Sequence, residues 1–110
     1  MANTFKLKTK ANVGGTTVGI YTAPAATTTV VIGITLSNTS GSGVNVGVAV
    51  SRTSDTKDDV NLLKNAPIPQ GSSLEFMGGN KVVLETNDQI NVDSDTNNSV
   101  DAALTIMEIT

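Results

Sequence analysis

The chain has 110 residues, a net charge of −3, 38% hydrophobic residues, 15% charged residues and only three aromatic rings. That length supports one domain with a single core built from Val, Ile, Leu and Ala. With no His and no Cys, it has no Ser-His or Cys-His nucleophile pair, no disulfide framework and no zinc site of the usual ligands, and a pI near 4.6 argues against nucleic acid as a partner.

Taken in chain order, the first segment alternates Phe5 and Leu7 with Lys6, Lys8 and Lys10, which predicts a basic strand or arm over residues 1–12. These three lysines are three of the chain's seven cationic residues; the remaining hundred positions carry four against ten acidic residues. Alternation places the lysines on one strand face, opposite Phe5 and Leu7. The expectation is that this face is turned outward. It would meet an acidic partner surface, as complementary charge steers docking, or be solvated and discourage edge-to-edge aggregation. Val18, Ile20 and Thr22 form a short strand closed by Pro24. The strongest signals follow. Val30, Ile32, Ile34 and Leu36, then Val44, Val46, Val48 and Val50, occupy every second position. The turn formers at 38–43 lie between them, and the two runs predict a β-hairpin. Leu62 and Leu63 begin a weaker strand ending in a corner at 67–71. Leu74 and Phe76 form a strand broken at Gly78 and Gly79 and resumed by Val82 and Leu84. A turn at 86–88 leads into Ile90 and Val92, and a hairpin turn at 93–98 leads into Val100, Ala102, Leu104 and Ile106. No helical period appears. About eight or nine short strands with turns every 8–12 residues predict an all-β domain, a compact antiparallel β-sandwich or barrel of jelly-roll or Ig-like type.

The low charged fraction, against about 25% in ordinary domains, leaves a surface that other protein can cover without stripping water from many ions. The first ten residues lack the apolar run of a signal peptide, and no stretch is long enough for a membrane span. The chain is thus expected to be made in a cytoplasm and to stay there until something other than secretion releases it. Asp93, Asp95 and Asn97 open like a calcium loop, but Asn98 and Leu104 replace the Gly and Glu that such a loop requires; the expectation is a turn without metal. The carboxylates Asp55, Asp58, Asp59, Glu75 and Glu85 show no spacing that marks a glycosidase pair. Asn38 and Asn97 fit the glycosylation pattern, as chance in a chain rich in Asn, Ser and Thr. The glycine pairs match no phosphate loop. No cofactor and no enzymatic activity are expected.

Four stretches carry a resemblance: 20–40 (IYTAPAATTTVVIGITLSNTS), 63–74 (LKNAPIPQGSSL), 81–90 (KVVLETNDQI) and 99–109 (SVDAALTIMEI). Together they resemble small virion proteins of tailed bacteriophages, especially marine and cyanobacterial ones. The resemblance implies a non-enzymatic capsid decoration or cement protein that binds the major capsid protein, often as a trimer, on the virion surface. The alternatives are a tail, neck or baseplate accessory, and a host-surface or carbohydrate-binding module, which the scarcity of rings disfavours. The segment from Phe5 to Lys10 and exposed strand edges are the expected contacts.

Overall fold

A computed structural model of the chain describes residues 3–52, 58–76 and 81–110. Asp55 and the Gly78-Gly79 break lie outside the described residues. Nine strands and no helix are present among those described: β1 (Asn3–Val13), β2 (Val18–Thr22), β3 (Thr28–Asn38), β4 (Val44–Ser51), β5 (Val60–Ile68), β6 (Ser73–Phe76), β7 (Val82–Leu84), β8 (Gln89–Ser94) and β9 (Val100–Ile109). They form two antiparallel sheets. The first runs β1-β9-β3-β6 with β7 also on β3, and the second runs β2-β8-β4-β5.

β6 pairs with Ile34–Ser37 of β3, and β7 with Thr29–Val31. The two are halves of one interrupted strand, as the alternation of Leu74, Phe76, Val82 and Leu84 predicts. Counted so, the sandwich has two sheets of four strands in the order 1-8-3-6 and 2-7-4-5. This is the jelly-roll topology of two interlocked Greek keys. Among the described strands, β4 and β5 are the one consecutive pair of whole strands that are hydrogen-bonded neighbours.

Two predicted hairpins are therefore corrected. β3 and β4 lie in opposite sheets, as do β8 and β9, so residues 38–43 and 93–98 are arches across the core. Strands that face each other across a core show the same period-two pattern as strands that pair, and the sequence pattern does not separate the two cases. Buried Asn38 shapes the first arch: its amide donates to Ser42 O at 2.8 Å and Ile68 O at 3.0 Å, and its Oδ1 accepts from Ser40 N at 2.9 Å.

The core lies between the sheets. Val44, Val46, Val48 and Val50 point into it from β4, and Val100, Ala102, Leu104 and Ile106 from β9, as predicted. β3 departs from expectation. Its inward residues are Thr29 and Val31, then Ile34 and Leu36, while Val30 and Ile32 are half-buried on the other side. The pairing of β3 with β9 slips between Val31 and Gly33. One extra residue in the strand reverses which face each neighbour takes, so Val30 and Ile32 turn outward. Pro67, expected at a corner, lies within β5 opposite Asn45; β5 is an edge strand, where proline's missing donor goes unused.

Candidate interaction surface

β1 is the edge of the first sheet and pairs only with β9. Lys6, Lys8 and Lys10 stand opposite Ile106, Leu104 and Ala102, whose side chains fill the core. The lysines therefore take the sandwich side of β1 by register and not the face expected, though Lys6 and Lys10 remain exposed and Lys8 is half-buried. The cause is Glu108, which occupies an inward position of β9 and is 7% exposed. A carboxylate there requires a cation, and Lys6 Nζ supplies it at 2.8 Å. Tyr21 Oη donates to Glu108 Oε2 at 2.6 Å and lies 2.8 Å from Thr29 Oγ1. The Lys6 bond, then that of Tyr21, holds the Glu108 carboxyl below its usual range. Burial first, and then the bond to Glu108, pushes the Tyr21 phenol up to about 12. Tyr21 is thereby committed to the interior and offers no ring to a ligand.

With the lysines on the core side of the register, period two forces Phe5 and Leu7 outward, 69% and 64% exposed. They join an apolar row that spans four strands. Phe5 stands opposite Met107, Met107 opposite Val30, and Val30 opposite Val83, which is 57% exposed. Ile109 and Ile32 flank this row on the same face. Farther along, Thr9, Ala103 and Thr35 form one row that ends at Glu75, and Asp101 and Ser37 pair in the next. A hollow of about 370 Å³ lies over Gly33, Thr35, Ala103 and Thr105 with Glu75 at its side, and another of about 260 Å³ over Thr9, Ala11 and Ser37 with Lys10 and Asp101 beside it. The outward charges of this face among the described residues are Glu75 and Asp101, both beyond the apolar row. Sequence reasoning singled out Phe5 and Leu7 but missed Val30, which the slip at Val31/Gly33 turns outward without a mark in the alternation, and Val83 and Met107, whose outward positions the alternation of Val82/Leu84 and Leu104/Ile106 itself implies.

The outer face of the second sheet is polar. Gln89, Asn91 and Asp93 of β8 adjoin Asn45, Gly47, Ala49 and Ser51 of β4, and Asn91 Nδ2 donates to Ser51 Oγ at 2.6 Å. A hollow of about 230 Å³ surrounds Gly47, lined by Thr17, Asn61, Asn65, Asn91 and Asp93. No described aromatic side chain lines it.

The remaining candidates serve loops. Asp93 Oδ2 accepts from Thr17 Oγ1 at 3.2 Å, Asp95 Oδ1 from Asn45 N at 3.1 Å, and Asn97 Oδ1 from Gly15 N at 3.4 Å. The three side chains thus turn to three partners rather than to a common centre. At the opposite end of the sandwich the only arginine, Arg52, gathers acids. Its guanidinium pairs with Glu85 and with buried Asp88 at 3.1 Å, and its backbone N–H donates to Asp59 Oδ1 at 2.6 Å. Asp58 is exposed, and Glu75 lies on the other sheet. Asp59 and Glu85 are thus the only two of the described carboxylate candidates brought together, and they meet at a cation.

The chain matches no family model and no curated protein. Two solved structures resemble it. One is a chain of the T13 viral particle of IBDV, with a TM-score of 0.59 and 14% identity over 96% of this chain and 30% of that one. This chain thus spans about 30% of that chain's length. The other belongs to the disulfide-linked pili that form Bacillus endospore appendages, with a TM-score of 0.53 and 13% identity over 99% of this chain and 87% of that one. At such identities the likeness shows a shared β-sandwich fold.

Proposed function

We propose that this chain is a non-enzymatic structural protein of a virus particle, and specifically a decoration protein that binds the assembled head of a tailed bacteriophage. The observation that carries the reading is the exposed apolar row Phe5–Met107–Val30–Val83. A row of this kind on a small domain marks a surface that other protein covers. The sequence resemblance supplies the phage particle, and the fold shared with a viral particle chain is consistent with it. The pilus likeness does not carry over as chemistry, since a chain without cysteine forms no disulfide links.

The mechanism is mass action. A subunit that binds the assembled lattice, and not dispersed coat protein, stabilises the lattice by its own binding free energy. Modest contacts repeated over many sites then resist internal pressure together. The test is the copy number of this chain in purified particles, measured by quantitative mass spectrometry against the coat protein. The expected result is a copy number equal to the coat protein or a simple fraction of it. A few copies per particle would move the assignment to tail or neck, and absence from the particle would overturn it.

A further inference from the structure

We infer that the outer face of the β1-β9-β3-β6 sheet packs against the same face of a second copy of this chain. The inference assigns the surface described above to a second copy, so that contact with the head would fall to the other surfaces of the pair; it rests on reading that face as a protein contact, not on the virus particle. Three observations carry it.

The first is size. Strands of eleven residues in β1 and β3, ten in β9 and four plus three in β6 and β7, about 4.8 Å apart, give a face of roughly 600 Å². A stable pairing needs about 800 Å² from each partner, so the face is large enough to hold most of one interface.

The second is shape. The large side chains Phe5, Met107, Val30 and Val83 form a ridge. Two residues farther along each strand from the central row of Leu7, Thr105 and Gly33 lie the small side chains Thr9, Ala103 and Thr35. A two-fold axis crossing the strands at that central row sets the ridge of each copy into the hollow of the other. An isologous contact requires such self-complementarity. Gly33 enlarges the hollow: a Cβ added there would meet no atom within 4 Å.

The third is charge. The ridge is uncharged, and the charged groups that line the hollows sit at the margins of the face, Glu75 on the edge strand β6 opposite Thr35 and Lys10 and Asp101 toward the end of β1 and β9, so face-to-face packing places them at its rim. This matches the charge-depleted, apolar core of homodimer interfaces. Lateral pairing of two β1 edges is the competing arrangement. It would set Lys6, Lys8 and Lys10 of one copy beside those of the other, and like charges across a strand pair are destabilising.

The experiment is analytical ultracentrifugation of the purified full chain over a micromolar dilution series, with two variants. Gly33→Gln fills the hollow without altering charge, at a position where an added Cβ meets no atom within 4 Å. The double change Phe5→Ser with Met107→Ser removes the ridge. The wild type should sediment at twice the 11.3 kDa chain mass. Gly33→Gln should keep the wild-type circular dichroism spectrum and dimerise about 100-fold more weakly, and the double variant should be monomeric. If the double variant fails to fold, Gly33→Gln still decides. A wild type that is monomeric or trimeric, or a dimer indifferent to Gly33→Gln, would overturn the inference. Those outcomes leave the copy number in particles as a separate question.

Discussion

Tyr21→Phe isolates one hydroxyl inside the polar cluster and can be worked through from the geometry. The ring is buried, and Phe preserves its packing. The change removes the 2.6 Å donor to Glu108 and the 2.8 Å contact with Thr29. A hydrogen bond to a charged group contributes about 1.5–3 kcal/mol net, and leaving a buried acceptor short of a donor lies at the upper part of that range. Lys6 still holds the other carboxylate oxygen and is itself partly exposed, which favours the lower part. The expected loss is about 2 kcal/mol, or roughly 10 °C in Tm for a domain of this size. The loss should also depend on pH. Glu108 titrates below its usual value in the folded chain, so its contribution is complete above the unfolded carboxyl pKa of about 4.3 and is lost as pH falls through the lower folded value. Protonation weakens the bond that Tyr21 makes, so the gap between wild type and variant should narrow in acid. Urea unfolding of both proteins at one fixed chain concentration, from neutral pH down to pH 3, measures it. A gap under about 0.5 kcal/mol at neutral pH, or one that does not shrink on acidification, would refute the assignment of Tyr21 as a donor to a buried carboxylate.

Two further outcomes follow from the same coordinates. Because Tyr21 is the only tyrosine, phenolate absorbance reports it alone. Its titration midpoint should lie near 12 in the folded chain and near 10 in urea. A group raised on folding contributes stability that is present below pH 10 and lost as pH rises toward 12, so unfolding midpoints should fall over that window; a folded midpoint at 10 would contradict the burial of the hydroxyl. Calcium and EDTA should both leave Tm unchanged, because Asp93, Asp95 and Asn97 each serve a different loop partner. A rise of several degrees with calcium would show that the arch rearranges around a metal.

The all-β class, the strand positions and most of the core were legible in the sequence because period two is set by the backbone itself. Residues such as Val46 and Leu104 follow it without interruption. Connectivity was not legible. The alternation of β3 and β4 is the same whether they pair or face each other, and the decisive features are long-range: Asn38 reaching Ile68 O, and β9 inserted between β1 and β3. The surface was half legible. Phe5, Leu7 and the three lysines were identified, with their opposition across the strand, but not which set turns outward. That choice depends on Glu108, about a hundred residues away, whose inward position gives Lys6 a partner.

Two departures from simple alternation thus build the apolar face, and they act independently. On β1, the ion pair of Lys6 with Glu108 fixes the lysines on the core side of the register and leaves Phe5 and Leu7 on the outer face. On β3, one extra residue between Val31 and Gly33 turns Val30 and Ile32 outward and leaves Thr29 inside, within reach of Tyr21. Without the slip, Val30 would point inward and Thr29 outward, which would restore a conventional amphipathic strand and remove the centre of the row. A β-bulge costs ladder hydrogen bonds, and exposing Val, Phe and Leu side chains forgoes about 25 cal/mol for each Å² left in water. Neither departure favours the isolated chain through the outward side chains. Both would become favourable where that face is covered, as in the pairing with a second copy proposed above.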